Sequence, residues 1–70
     1  MNTEIIKKEI VKHVGNNIRL TIYGMRNHTD YYEGIIYKVY PNFFTIIYNG
    51  QEKSFNYRDI ITGDIKIKYL

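Results

Sequence analysis

The chain has no cysteine among its 70 residues, and this absence removes several classes of site at once. Without thiols the protein can form no disulfide and can offer no thiolate ligand to a metal ion. It has two histidines, His13 and His28, and a metal site built on them would need carboxylates from distant loops. We therefore expect neither a metal site nor a cofactor.

The sequence also lacks the usual signatures of catalysis. The five glycines are scattered at turns and form no phosphate-binding loop. No serine has an identifiable general base beside it. Asp59 could act as a base, but a carboxylate at the start of a short helical turn is better explained as a cap for backbone N–H groups. We expect a protein that is not an enzyme.

Long apolar runs are missing as well. No stretch reaches the length that spans a bilayer, and the N-terminus has no apolar run flanked by a basic region. We expect a soluble cytoplasmic protein that does not bind membranes.

Aromatic residues are abundant, with eight tyrosines and three phenylalanines. A domain of this size buries only about 60% of the surface that its unfolded chain exposes, and large aromatic side chains compensate for a small core. Residues 1–70 are predicted to form a single domain. The net charge of +3 and pI of about 9.2 are compatible with a nucleic-acid partner and do not require one.

The clearest pattern lies in the second half, where short runs rich in Ile, Val, Tyr and Phe are separated by turn formers. Such residues favour strands, and Asn49-Gly50 tolerates the positive φ angles of a type I′ hairpin turn. Gly34, inside one of these runs, predicts a sharp bend or a bulge. We predict strands at residues 18–24, 31–40, 43–48, 52–57 and 64–69.

An amphipathic helix is predicted before the first strand, at residues 3–14, because Ile6, Ile10 and Val14 recur at four-residue spacing. A single helical turn fits residues 58–62, between the last two strands. The predicted fold is mainly β, a small α+β domain: an N-terminal helix, then five strongly bent antiparallel strands with a one-turn helix before the last. This plan is that of SH3-like and Sm-like barrels, and the analogy carries no function.

Two sets of side chains are candidates for contacts with a partner. Basic side chains can pair with phosphates or with acidic groups on a protein, and exposed tyrosines can stack on bases. The basic candidates are Arg19, Arg26, His28, Lys38, Lys53, Lys66 and Lys68; the candidates for an aromatic interaction surface are Tyr23, Tyr31, Tyr32, Phe43 and Ile47.

The third strand is apolar on both of its faces. Phe43 and Ile47 alternate with Phe44, Ile46 and Tyr48, so each face of the strand presents large apolar groups. Either the helix covers the face of Phe43 and Ile47, or these residues belong to an interface with a partner.

Three segments carry a resemblance to a known family. Residues 34–36, 40–44 and 54–62 read GII, YPNFF and SFNYRDIIT, and the helix and the first strand precede them in the same order. In these segments the sequence resembles the Veg family, small proteins of low-GC Gram-positive bacteria that are similar to Sm-like barrels. The resemblance covers nearly the whole chain. It implies a protein without enzymatic activity that stimulates biofilm formation by raising the expression of matrix genes, opposing a master repressor.

One segment departs from the family pattern. After the first strand the family typically has a glycine pair followed by consecutive basic residues, whereas residues 24–28 here read GMRNH. Arg26 keeps the positive charge, whereas Asn27 and His28 depart from the family's basic run. If the basic run contacts nucleic acid or an acidic partner in the family, we expect weaker contact here.

Two classes of function follow from the sequence. The first is a Veg-like regulator that binds a protein partner, a transcriptional regulator, through its aromatic surface. The second is a small barrel that binds RNA or DNA, for example in association with the ribosome or another ribonucleoprotein. Binding to phosphates weakens steeply with salt, whereas an apolar protein interface responds little. Self-association as a homodimer through an unpaired strand edge is a third possibility.

Overall fold

The computed structural model describes residues 3–24 and 28–70. The fold is mainly β, as the sequence predicts, with five antiparallel strands in one sheet and two short helices. In chain order the elements are α1 (Thr3–Lys12), β1 (Asn17–Tyr23), β2 (Thr29–Val39), β3 (Phe43–Tyr48), β4 (Gln51–Asn56), α2 (Tyr57–Thr62) and β5 (Ile65–Tyr69).

The strands lie in the order β4-β3-β2-β1-β5. Consecutive strands from β1 to β4 pair as antiparallel neighbours, and β5 crosses over to pair with the free side of β1. The two edges of the described sheet are therefore β4 and β5. The link between them is α2, at the place where the sequence predicts a short helix.

The hairpin between β3 and β4 has the predicted turn. Tyr48 pairs with Gln51, which leaves Asn49 and Gly50 as the two loop residues. Their φ angles are 50° and 77°, and a type I′ turn needs positive φ at both positions.

Gly34 allows a close approach between two strands. Its partner in the β1–β2 ladder is Ile18, and the register is regular there. A Cβ atom at position 34 would collide with the carbonyl oxygen of Ile47 in β3. The predicted bulge lies further along β2, where the register with β3 shifts between Ile36 and Val39. Gly34 is thus explained by a close backbone contact, and the interpretation as a bulge was wrong in position.

The core lies on one face of the sheet, which we call the inner face. Strand residues at alternate positions meet there, and α1 contributes Ile10 to the same cluster, so α1 covers the inner face. The helix ends at Lys12, so that Val14, predicted as part of its apolar stripe, lies in the following turn and is exposed. The buried core residues are Ile10, Ile18, Leu20, Ile36, Phe44, Ile46, Tyr57 and Ile65.

Tyr57 was predicted at the end of the fourth strand and instead begins α2. As the first residue of this helix it turns into the core, where its ring lies parallel to that of Phe44 at a centroid distance of 5.9 Å. Its hydroxyl donates a hydrogen bond to the carbonyl oxygen of Tyr40 at 2.6 Å. Burial of the phenol raises the pKa of Tyr57 above its ordinary value. Tyr57 thus enters the core as the first residue of α2, and the strand ends one residue earlier than predicted.

Candidate interaction surface

The opposite face of the sheet, the outer face, is covered by neither helix in the described part of the chain. Buried residues of β1 alternate with exposed ones, so that Ile18 and Leu20 point inward and Arg19 points outward. Both α1 and α2 contribute their buried residues to the inner cluster. Of the two explanations for Phe43 and Ile47, cover by the helix is therefore wrong, and the interface with a partner stays a prediction; both side chains are half-buried.

Cross-strand pairing divides the outer face into two halves. Arg19 lies between Lys68 of β5 and Glu33 of β2, and Thr21 lies between Lys66 and Tyr31. At the other end of the strands, Asn17 lies beside Ile35, which in turn lies beside Ile47. One half is therefore charged and aromatic, and the other is apolar.

We call the first half the basic strip, defined by Arg19, Tyr23, Tyr31, Lys66 and Lys68. Arg19 is paired with Glu33, whose Oε1 accepts hydrogen bonds from Nε at 3.1 Å and Nη2 at 2.8 Å. The ammonium group of Lys66 lies 5.7 Å from the centre of the Tyr23 ring, within the range of a cation–π contact. In the described part of the chain, neither Lys66 nor Lys68 has a carboxylate partner.

We call the second half the apolar patch, defined by Ile35, Tyr37, Phe43, Ile47 and Leu70. Ile35, Tyr37 and Leu70 keep 44%, 48% and 58% of their surface exposed. Leu70 is held beside β1 because its N–H donates to the carbonyl oxygen of Asn17 at 3.1 Å. Phe43 stacks on Tyr40 with a centroid distance of 4.6 Å.

A shallow depression adjoins the apolar patch. It has a volume of about 370 Å³ and is lined by Tyr40, Phe43, Thr45, Glu52 and Ser54. Thr45 forms its floor and is itself buried, and its hydroxyl accepts a hydrogen bond from the N–H of Lys38 at 3.1 Å. A lining that combines two aromatic rings with hydroxyl and carboxylate groups can hold one side chain of a partner.

Several of the predicted contact residues lie away from both halves. Tyr32 turns to the inner face and packs edge-on against Tyr48 at a centroid distance of 4.9 Å. The ammonium group of Lys53 lies over the Tyr32 ring, with Nζ 5.6 Å from the ring centre. His28 is exposed, and its Nε2 atom lies 3.1 Å from Oδ1 of Asp30. The Nζ atom of Lys38 lies 5.3 Å from the Tyr37 ring centre, at the border of the apolar patch.

Arg26 was the candidate named for the loop between β1 and β2, and it lies outside the described residues. The structure therefore leaves its role as a prediction.

Three exposed apolar residues of the patch were missed by sequence reasoning: Ile35, Tyr37 and Leu70. For Ile35 the sequence did contain a signal of exposure. Ile35 and Ile36 are neighbours in a strand, and because side chains alternate between faces, only one of them can point into the core. Leu70 follows the last strand and gave no pattern of its own.

Acidic and histidine side chains do not gather into a metal-binding group anywhere in residues 3–24 and 28–70. Asp59, the possible base, lies in the first turn of α2, and the N-cap position belongs to Asn56, which makes no side-chain capping bond. Burial raises the pKa of the Tyr69 phenol, as it does for Tyr57, and Glu9 adds to the effect at Tyr69. Both tyrosines belong to the inner side of the sheet.

Comparison with protein families identifies the chain. The family model described as biofilm formation stimulator VEG matches residues 2–68 of the 70-residue chain. The chain belongs to the VEG family. The name of the family describes a stimulator of biofilm formation. A search of curated proteins finds no match.

For this VEG-family chain, the helices in the described ranges are too short and too polar to cross a bilayer. The match extends through β1 to β4 and most of β5, so it covers the basic strip and all of the apolar patch except Leu70.

Proposed function

We propose that the chain is a non-enzymatic regulator that stimulates biofilm formation by binding a transcriptional repressor of matrix genes and opposing it. The apolar patch carries this proposal. It places apolar side chains side by side on the face that the helices leave open. The VEG family membership supplies the biological context.

The energetics of the patch favour a protein partner. Fully burying a large apolar side chain contributes about 1.5–3 kcal/mol, so covering the exposed half of Ile35, Tyr37 or Leu70 contributes about 1 kcal/mol for each residue. Contiguous apolar groups rimmed by polar residues are typical of protein interfaces. Glu52 and Lys38 provide such a rim at the side of the patch near Thr45.

The depression beside Phe43 supports a specific contact. Its lining combines the stacked rings of Tyr40 and Phe43 with Glu52 and Ser54 of β4. An aromatic or aliphatic side chain of the repressor would enter between them and become an anchor of the interface.

The test compares two double variants that remove the same kind of apolar surface from different places. Ile35→Thr/Leu70→Thr reduces the apolar patch, whereas Ile5→Thr/Val11→Thr reduces two exposed apolar residues of α1. Each variant replaces the native gene in the host, and a matrix-gene reporter and the biofilm are measured. Circular dichroism confirms that both variants fold.

We expect the patch variant to lower the reporter several-fold and the α1 variant to leave it at the wild-type level. In a host that also lacks the repressor of the matrix genes, neither variant should change the reporter. Equal reporter activity for all three proteins in the presence of the repressor would refute the proposal.

A further inference from the structure

We propose that the basic strip binds single-stranded nucleic acid, as a second activity that does not use the apolar patch. The strip combines cations that face the solvent with exposed aromatic rings on one continuous surface formed by β5, β1 and the first half of β2. These are the two elements that sequence-tolerant binding of single strands requires.

The cations of the strip are available to phosphates. Lys66 and Lys68 alternate with inward-facing residues of β5, so both ammonium groups lie on the outer face. No carboxylate in the described ranges pairs with either of them. Arg19, the neighbour of Lys68, pairs with Glu33 through Nε and Nη2, so Nη1 takes no part in that ion pair. The strip therefore offers about three phosphate contacts, which is few.

Two tyrosines provide the stacking surface. Tyr31 is 65% exposed and Tyr23 is 44% exposed. Tyr31 of β2 lies opposite Thr21 of β1, and Tyr23 follows Thr21 by two residues in β1. The two tyrosines are therefore diagonal neighbours on the outer face. Diagonal neighbours in an antiparallel pair are about 7–8 Å apart. Two consecutive bases of an extended strand can therefore each meet one ring.

A depression lined in part by Tyr31 contains polar groups beside that ring. It has a volume of about 520 Å³ and is lined by Arg19, Tyr31, Glu33, Tyr48 and Asn49. Guanidinium, carboxylate and amide groups supply both donors and acceptors to a base edge. The depression is open and shallow, which suits an unpaired base more than a deep-bound small molecule.

The arrangement favours a nucleic acid over an acidic protein segment. Carboxylates would satisfy Lys66 and Lys68 equally well, but they would leave the exposed ring of Tyr31 without a flat partner and the ring of Tyr23 with the Lys66 ammonium group alone. A duplex would meet the cations and leave the rings unused, because its bases are stacked on one another. Stacking and phosphate contacts are common to RNA and DNA, so both kinds of single strand are ligands.

The probes are fluorescein-labelled 12-nucleotide oligo-dT and oligo-U, a labelled 12-base-pair DNA duplex, and labelled poly-glutamate, each titrated with the full chain. With about three phosphate contacts, we expect dissociation constants on the order of 10⁻⁵–10⁻⁴ M at low salt for both single strands. Affinity should fall with salt with a log–log slope of about −2, from about 0.7 per contact. The duplex and poly-glutamate should bind several-fold more weakly.

Matched variants locate the site. Lys66→Gln/Lys68→Gln removes two charges from the strip, and Lys8→Gln/Lys12→Gln removes two from exposed positions of α1, so both variants have the same net charge. The first should weaken oligo-dT binding about ten-fold and lower the salt slope, and the second should change it less than two-fold. Tyr31→Ala should weaken binding by about five-fold or more. The double variant of the apolar patch should bind as the wild type does.

Three results would overturn the proposal. One is the absence of oligonucleotide binding at 20 mM salt. Another is an equal loss in the two lysine variants, which would indicate attraction by net charge alone. The third is binding of poly-glutamate or the duplex as tight as that of the single strands, since the tyrosines would then contribute nothing and the strip would be a surface for acidic proteins or for polyanions in general.

Discussion

Both faces of the sheet contain large apolar side chains, but packing buries those of the inner face and leaves several of the outer face exposed. On the inner face Phe44 and Ile46 are fully buried, whereas on the outer face Ile35 and Leu70 keep 44% and 58% of their surface exposed. The inner residues are explained by the need of a small chain to build a core. The outer residues exceed what the fold requires, and this surplus is what points to a partner.

The largest expected effect belongs to the inner face. Phe44→Ala should lower the free energy of unfolding by about 3–5 kcal/mol, because it empties a fully buried site in contact with the rings of Phe55 and Tyr57. Urea unfolding followed by circular dichroism measures the loss. Tyr37→Ala, on the exposed side of the same sheet, is the control and should cost far less. Similar losses for the two would erase the distinction between the faces.

Gly34→Ala tests the closest approach in the sheet. The added Cβ would meet the backbone of Ile47, which cannot move away as a side chain can. We expect the free energy of unfolding to fall by about 1–3 kcal/mol, as it does in other cases of overpacking. The midpoint of urea unfolding measures this change. A variant within about 0.5 kcal/mol of the wild type would show that β2 and β3 can separate without cost.

Tyr57→Phe keeps the ring in the core and removes one hydrogen bond. The carbonyl oxygen of Tyr40 would lose its donor, and such losses typically cost about 1–2 kcal/mol. Thermal unfolding at neutral pH gives the difference. An unchanged melting temperature would mean that water replaces the hydroxyl as the hydrogen-bond donor. The start of α2 would then be more open to solvent than the burial of Tyr57 indicates.

The same residue makes stability depend on pH in the alkaline range. Burial raises the pKa of Tyr57, so the folded protein keeps the phenolic proton at pH values where the unfolded chain, with a pKa near 10, releases it. This contribution is fully present below about pH 10 and is lost as the pH rises through the folded pKa. Melting temperatures from pH 8 to 11 should fall less steeply for Tyr57→Phe than for the wild type. Parallel curves would contradict the assignment.

The smallest expected effect belongs to the ion pair between Arg19 and Glu33. Both side chains are about half exposed, at 44% for Arg19 and 56% for Glu33, and Nη2 of Arg19 lies 2.8 Å from Oε1 of Glu33. Exposed pairs contribute about 0–1 kcal/mol, so Glu33→Gln should shift the urea midpoint only slightly at 0.1 M salt. A larger loss would assign this part of the outer face to stability and weaken its interpretation as a binding surface.

The sequence predicts the inner face better than the outer one for a physical reason. Alternation identifies which residues share a face, and turn chemistry at Asn49-Gly50 fixes the hairpin, so the mainly β fold with its helix before the last strand could be predicted. Alternation does not say which face a helix covers. That is why the environment of Phe43 and Ile47 was decided only by the position of Ile10 in the core.

Single candidates were harder to place than elements. Lys53 was expected among exposed basic residues, yet it lies opposite Ile46 in the β3–β4 ladder and follows Tyr32 to the inner face. The face toward which the Lys53 side chain points depends on the register of β4 at the edge of the sheet. A register shift of one residue would move every side chain of that strand to the opposite face. Tyr57 was also misplaced, since it was expected as the last residue of the fourth strand and instead begins α2.

The central claim is that the outer apolar patch serves a partner and not the fold. The most direct test measures urea unfolding and the matrix-gene reporter for Ile35→Thr/Leu70→Thr, with Ile5→Thr/Val11→Thr as the matched control. We predict that the patch variant loses most of its reporter activity while its stability stays within about 1 kcal/mol of the control. A patch variant with normal reporter activity, or one whose activity loss is matched by unfolding, would contradict the claim.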